Sequence, residues 1–338
     1  MKRVILIGIA IVFLIVNVAA EESKIKFSGL GQVWFSAGQQ AGTNADSYGF
    51  TVRRVRFIPT GSLSKNIKWG FHFAYDKQVA KILDAFVLFE LSENFNVKVG
   101  QFAPPAAKSA ALTSSAELDF VERASITTRW GDHSKLFGYR ALGVQLDGQL
   151  MDDKLYWAFM VANPRTLKIF NPTINLPDYE EQNGLSFWGR MEVRPVDGLN
   201  FGAFFGTGTE KDINNKKSSY GAHLFYVKNR LNLKLEYIAG IYGLEGRETK
   251  YNGIYSVVGF RVSKPLELAV RYGFYTPNNG NPNPLGVKKF NNITFGANIF
   301  CKHNIKFQAN YVIRQETMAD GMEEMPNNLF YVMCQYSF

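Results

Sequence analysis

The sequence has little of what marks several common architectures. It contains only two cysteines, Cys301 and Cys334, whereas a disulfide-stapled secreted domain carries more of them at closer spacing. It has no low-complexity stretch and no Pro/Gly/Ser-rich linker that would divide the chain into domains. Beyond residue 20 it has no apolar run of the roughly 18–20 residues that a membrane helix needs. These absences argue against a disulfide scaffold, a two-domain soluble protein and a helical membrane protein.

The motifs of an enzyme site are also missing. The chain has four histidines, and neither Gly-x-Ser-x-Gly nor His-Glu-x-x-His occurs. The Asp132-His133 pair alone is weak evidence, because nucleophilic catalysis needs a third convergent group, which a sequence does not show. Gly29-x-Gly31 lies in a strand pattern without a following helix, so it does not indicate a nucleotide site. We predict no catalytic residue, no metal site and no cofactor, and an enzyme stays as an alternative.

The first 20 residues have the layout of a secretory signal peptide. Lys2 and Arg3 precede an apolar run over residues 4–16, and small residues end it at Ala20. A membrane anchor is the alternative, but the run is shorter than the roughly 18–20 residues of a spanning helix. We therefore predict cleavage of residues 1–20 and a single domain over residues 21–338. Removing two cations from a formal net charge of +9 leaves +7, which favours an anionic partner other than nucleic acid.

The rest of the sequence alternates between apolar and polar residues. In one example Ile305, Phe307 and Ala309 alternate with Lys306 and Gln308. A period of two indicates strands with one apolar and one polar face. About 16 such segments occur, each near the length of a tilted membrane strand. They begin near Ile25, Tyr48, Ile67, Lys81, Phe95, Tyr139, Lys154, Gly184, Leu199, Ser218, Leu231, Tyr251, Pro265, Lys288, Asn304 and Asn328.

The connections between these segments alternate as well. Every second one is a tight turn, such as Lys228-Asn229-Arg230, and the intervening ones are mostly longer, such as residues 102–138 and 163–183. Short periplasmic turns and longer extracellular loops are typical of a bacterial outer-membrane barrel. The last segment alternates and ends on Phe338, and 28 Phe and 16 Tyr supply residues for aromatic girdles. We predict an all-β fold, a transmembrane antiparallel β-barrel of about 16 strands; a soluble β-protein is the alternative.

Residues 49–57, Gly-Phe-Thr-Val-Arg-Arg-Val-Arg-Phe, resemble the Gly-Phe-x-Val-Arg-Arg-x-Arg strand of the phosphate-selective porin O and P family. Further family-like motifs follow in order at residues 69–76, 84–86, 97–102, 112–115, 120–123 and 140–145. The resemblance implies a homotrimer of 16-stranded barrels, with the loop over residues 102–138 folded into each pore. It also implies a preference for anions through basic residues along the lumen.

The alternation predicts which basic side chains face this lumen. A charge on the lipid face near the midplane costs about 2–4 kcal/mol, so cations on polar faces should point inward. The candidates for pore lining and anion selectivity are Arg54, Arg56, Lys98, Lys108, Arg123, Arg190, Arg271, Lys306 and Arg314. Pairing with neighbouring acids is the alternative role for each. Arg53 falls on the lipid face, where snorkelling, a bulge or a subunit contact would accommodate it.

We therefore predict an outer-membrane porin of a Gram-negative bacterium. It would form a water-filled channel for passive diffusion of small hydrophilic solutes, with a preference for small anions such as phosphate. The sequence has no run of lumen arginines and no lysine cluster of the phosphate-specific kind, so a general anion preference is the better prediction. Its expected partners are small anions, membrane lipid and two further copies of itself. The alternatives are a structural or adhesive surface barrel with a blocked lumen and an outer-membrane β-barrel enzyme.

Overall fold

A computed structural model describes residues 25–39, 46–76, 79–133, 140–163, 184–210, 215–244, 247–279, 281, 286–322, 324 and 327–338. The predicted signal peptide over residues 1–20 lies outside these ranges, as do most of the loop over residues 163–183 and the side chains of Asp132 and His133. Within the described ranges, no helix is long and apolar enough to cross a membrane.

The described residues form sixteen strands. Their bounds are β1 (Ile25–Gln39), β2 (Asp46–Ser64), β3 (Ile67–Asp76), β4 (Val79–Ser92), β5 (Phe95–Phe102), β6 (Ala141–Leu150), β7 (Leu155–Ala162), β8 (Ser186–Val193), β9 (Leu199–Glu210), β10 (Asn215–Lys228), β11 (Leu231–Leu244), β12 (Arg247–Arg261), β13 (Leu266–Thr276), β14 (Val287–Phe300), β15 (Ile305–Met318) and β16 (Leu329–Ser337). Each begins within four residues of its predicted start; the largest difference is at β12, which begins at Arg247 instead of Tyr251.

The sheet closes on itself, which confirms the predicted barrel. Each strand pairs antiparallel with the next along the chain, and β1 pairs with β16 in a register that places Gly31 opposite Tyr336. Closure gives each of the sixteen described strands a partner on both sides, as a sheet in lipid requires. Connections at one rim span two to five residues, and Asn229 and Asn304 there adopt positive φ, which asparagine tolerates. The opposite rim carries the longer connections, although β3–β4 and β11–β12 are joined by only two residues and β9–β10 by four.

The two faces of the sheet differ as the alternation predicts. Large apolar side chains such as Phe57, Leu235 and Phe307 are exposed on the outside of the barrel. Their neighbours on the other face, such as Arg56, Glu236 and Lys306, are buried. An apolar outer band and a polar interior are the arrangement of a barrel that sits in lipid.

The connection between β5 and β6 has local structure of its own. A π-helical turn (Lys108–Leu112) and a 3-10 turn (Ser115–Glu117) precede helix α1 (Ser125–His133). We call residues 103–133 the β5–β6 segment. Its apolar residues, among them Phe120, Ile126 and Trp130, join the main cluster of buried side chains with residues from the strands. A spanning barrel otherwise keeps its apolar side chains on the lipid face, so the core forms around this segment.

Candidate site: the lumen and the β5–β6 segment

The β5–β6 segment is bound by ion pairs to one side of the barrel interior. Lys108 Nζ lies 2.9 Å from a Glu192 carboxylate oxygen on β8. Asp119 accepts two hydrogen bonds of 2.8 Å from Lys234 Nζ on β11, and one of 2.7 Å from the side chain of Asn232. Burial lowers the pKa of the Lys108 ammonium below its usual value, and the Glu192 carboxylate opposes that shift. These pairs fasten the segment at two points.

Apolar packing holds the helix of the segment to the same side. Trp130 is fully buried, donates from its ring nitrogen to Ser219 Oγ at 2.8 Å, and packs edge-on against Trp188 with ring centroids 6.1 Å apart. Ile126 and Tyr255 belong to the same cluster. We call the inward face of β8–β15 the packed wall.

Three of the predicted lumen cations serve this attachment. Arg190 donates to the Ala106 carbonyl oxygen at 2.6 Å. Arg271 donates to the Glu122 carbonyl oxygen at 2.7 Å, and Lys306 Nζ to those of Ala116 and Leu118 at 2.9 and 3.1 Å. Carbonyl groups of an irregular segment lack ladder partners, so buried ones need donors of this kind. These cations bind the backbone of the segment.

The inward face of β2–β7, which we call the open wall, borders a cavity of about 1030 Å³ between it and the segment. Seven lysine or arginine side chains and three carboxylates line this cavity. The cations are Arg53, Arg54, Arg56, Lys81, Lys98, Arg123 and Arg140, and the acids are Asp76, Asp84 and Glu122. The lining of the cavity therefore has an excess of positive charge.

Most of these cations have an acid nearby. Arg56 and Lys81 lie 2.7 and 2.9 Å from the two Asp76 oxygens. Asp84 pairs with Arg140 and, at 3.0 Å, with the Nδ1 atom of His72. Two cations therefore share one acid at Asp76, and such sharing leaves part of the positive field uncompensated.

Lys98 differs from these pairs. Its Nζ lies 3.8 Å from the ring centroid of Phe86 and 4.5 Å from that of Phe102. Aromatic faces attract the ammonium without cancelling its charge. Among the described residues, Lys98 therefore places its charge at the cavity wall without a carboxylate in direct contact.

A β-bulge explains the position of Arg53. The register of β1 against β2 runs from Gln32 opposite Arg54 to Val33 opposite Val52, so Arg53 is the extra residue. A bulge re-aims the side chain that it carries. Arg53 consequently reaches Glu122 at 2.8 Å, beside Arg54, which reaches the other oxygen at 3.1 Å. Of the three explanations open from the sequence, the bulge is correct.

A second cavity of about 540 Å³ lies in the long-loop half of the barrel, between β1, β2 and β13–β16. It shares Glu122, Arg123 and Thr128 with the first cavity, and Arg271 and Arg314 also line it. Arg123 itself donates to the Ser109 and Thr113 carbonyl oxygens at 2.8 and 2.7 Å, within the segment. The two cavities meet at the residues around Glu122.

The nine predicted residues thus fall into two groups. Lys108, Arg190 and Lys306 line neither of the two cavities and bind the segment or Glu192. The other six line at least one cavity: Arg54, Arg56, Lys98, Arg123, Arg271 and Arg314. The prediction omitted Arg53, Lys81 and Arg140. Arg140 stands inside a family-like motif, which was the available signal for it.

Comparison with solved structures gives the same fold. An anion-selective porin from Comamonas acidovorans superposes with a TM-score of 0.67 at 11% identity, covering 94% of this chain and 100% of that one. The outer membrane channel DcaP of Acinetobacter baumannii gives 0.65 at 11% identity, over 95% and 99% of the two chains. The trimer form of OmpT from Vibrio cholerae gives 0.65 at 10% identity, over 94% and 100%. Curated proteins gave no sequence match.

Sequence comparison with protein families identifies one family. The model for phosphate-selective porin O and P matches residues 30–171 and 178–338, which together span nearly the whole described chain. With the closed barrel, this match indicates an outer-membrane channel of a Gram-negative bacterium. The chain belongs to the phosphate-selective porin O and P family.

Proposed function

We propose that this protein is a passive diffusion porin that prefers small anions. The observation that carries the proposal is the lining of the larger cavity, with seven basic side chains against three carboxylates. Fixed charges in a narrow pore with low-dielectric walls raise the local concentration of counter-ions. The anion selectivity of the Comamonas porin, which has the same fold, is consistent with this preference.

The permeation path runs through the two cavities in series. Solute enters at the long-loop rim, passes the junction near Glu122 and Arg123, and continues along the open wall toward the short-turn rim. The β5–β6 segment lies folded into the pore and narrows it on the packed-wall side. The electrostatic field of the charged lining and the width of the pore then select the solute together, without a cofactor or an energy source.

The preferred solutes are small anions such as phosphate, taken as a class. A dedicated phosphate site would need several unpaired guanidinium or ammonium groups converging on one point. Here Arg53, Arg54 and Arg56 already contact carboxylates. A general preference for anions fits this pairing better than tight binding of one of them.

The protomer acts as one copy of a homotrimer, exported through a signal peptide that is cleaved after Ala20. The trimer form of OmpT, which has the same fold, supports the first part. The exposed apolar band on the outside of the barrel supplies the surface for lipid and neighbouring subunits. N-terminal sequencing and cross-linking of the protein in outer membranes test these two points.

A barrel with a blocked lumen is the second candidate, because the segment fills the packed-wall side. Single-channel recording in planar bilayers separates the two functions. A porin gives stepwise openings and, in a salt gradient, a reversal potential biased toward the anion. A folded protein that stays silent would establish the blocked barrel instead.

The same recording tests the open wall. Replacing Arg54, Arg56 and Lys98 together by glutamine should shift the reversal potential toward the cation. The matched control replaces three rim cations, Lys154, Lys264 and Lys302, all exposed in short-rim turns. An equal shift in both triple variants would assign selectivity to total charge and remove the open wall from the mechanism.

A further inference from the structure

The Glu122 carboxylate occupies the space between two arginines of the open wall. Its Oε1 atom accepts from Arg53 Nε and Nη2 at 3.0 and 2.8 Å, and its Oε2 atom accepts from Arg54 Nη2 at 3.1 Å. Both oxygens are thus used, each by a different guanidinium. A small tetrahedral or carboxylate anion would offer these arginines the same kind of acceptor.

The carboxylate is fixed at the junction of the two cavities. The Glu122 carbonyl oxygen accepts from Arg271 at 2.7 Å, and the preceding Val121 N–H donates to Asn310 Oδ1 at 2.7 Å. The backbone is therefore held by the packed wall while the side chain extends to the open wall. Of the charged residues, Glu122 and Arg123 line both cavities.

We propose that Glu122 is a tethered counter-anion that sets the strength of anion selectivity by offsetting one of the two positive charges of the Arg53–Arg54 pair at the junction of the pore. The inference rests on the proposed porin function and adds a specificity-determining residue to it. The bulge at Arg53 is needed for this arrangement, because it brings two successive arginines to the same carboxylate.

The arginines keep other contacts when the carboxylate charge is removed. Arg54 also donates to Gln32 Oε1 at 2.9 Å, and the Arg53 guanidinium lies 5.1 Å from the Trp34 ring centroid. They should therefore remain at the junction in a Glu122→Gln variant. An anion that passes would then meet two guanidinium groups without the opposing charge.

The experiment measures the chloride-to-potassium permeability ratio from reversal potentials at low salt. Glu122→Gln should raise the ratio about sevenfold, because one unit charge at roughly 7 Å in a water-filled pore changes the partition of each ion about 2.7-fold and acts on the two ions with opposite sign. Glu117→Gln is the matched control, because Glu117 is an exposed acid of the same segment, and it should change the ratio less. Equal ratios in the two variants would overturn the proposal.

A third variant separates charge from tethering. Glu122→Asp keeps the charge near the junction but shortens the reach to the arginines, so its permeability ratio should stay near that of the parent protein. If Glu122→Asp matches Glu122→Gln instead, the carboxylate acts by positioning the segment, and the proposal is wrong. Heat-modifiable migration on gels verifies that each barrel is folded.

A parent protein that gives no openings would refute the porin function itself, which is a different result from equal permeability ratios in the variants.

Discussion

On the packed wall, Lys234 and Arg190 end on groups of the β5–β6 segment, whereas on the open wall Arg56 and Lys98 end beside a cavity of about 1030 Å³. Both walls come from the same kind of strand, with inward polar residues at every second position. The difference between them arises from the segment, which packs on one wall and leaves a cavity between itself and the other, where Arg53 and Arg54 reach it at Glu122. An inward charge can therefore bind protein or face solute, depending on which wall carries it.

The two walls should also differ in what a substitution changes. A side chain of the packed wall contributes to the position of the segment, and hence to pore width. A side chain of the open wall contributes to the field that an ion meets. Conductance and selectivity are separate readouts of these two roles.

The largest effect is expected from Trp130→Ala on the packed side. Trp130 is fully buried, and removal of such a ring costs about 3–5 kcal/mol. The hydrogen bonds between the barrel strands do not depend on this side chain, so the lost free energy should weaken the attachment of the segment and not the barrel. We expect larger single-channel conductance and faster proteolysis within the segment. Phe260→Ala on the exposed outer face is the control and should leave both unchanged; unaltered conductance in Trp130→Ala would mean that the helix does not set pore width.

Asp119→Ala should have the next largest effect. It removes the acceptor of Lys234 and Asn232, and hydrogen bonds of a charged group contribute about 1.5–3 kcal/mol. The segment should become more susceptible to protease and the conductance noisier. The double variant Asp119→Ala/Lys234→Met should recover part of the lost attachment of the segment, because it leaves no unpaired lysine charge buried. Failure of the second change to help would show that the ion pair is not the cause.

The architecture of the barrel could be predicted from sequence because a spanning strand has only two environments. Each residue faces lipid or lumen, so a period of two locates all sixteen strands to within four residues. The same rule misplaced Arg53, because an extra residue in a strand breaks the alternation without leaving a compositional mark.

The segment could not be predicted in the same way. Its contacts join distant positions, such as Lys108 with Glu192, and it has no periodicity that would reveal them. For Arg190 and Lys306, sequence predicted inward charges but not whether each would meet solute or a carbonyl oxygen. That distinction depends on where an irregular segment packs, which alternation along a strand does not encode.

Lys306→Met tests a cation of the packed wall. Its ammonium donates to two carbonyl oxygens of the segment, and hydrogen bonds of a charged group contribute about 1.5–3 kcal/mol. Because Lys306 lines neither cavity, we expect increased protease sensitivity of the segment and an unchanged permeability ratio. A clear shift in the ratio would show that its charge acts on solute through the segment, which would weaken the distinction between the walls.

Lys98→Met is the matched change on the open wall and has the smallest expected effect on stability. Methionine keeps an unbranched stem against Phe86 and Phe102, so the packing should persist. The positive charge is lost, and with no carboxylate pair to break, the permeability ratio for chloride over potassium should fall about twofold, the scale of one charge acting across water. Protease sensitivity of the segment should stay at the level of the parent protein. Lys306→Met should therefore change protease sensitivity but not the permeability ratio, and Lys98→Met should change the ratio but not protease sensitivity. If the two variants behave alike in both measurements, the interior is not divided into a wall that holds the segment and a wall that faces the solute.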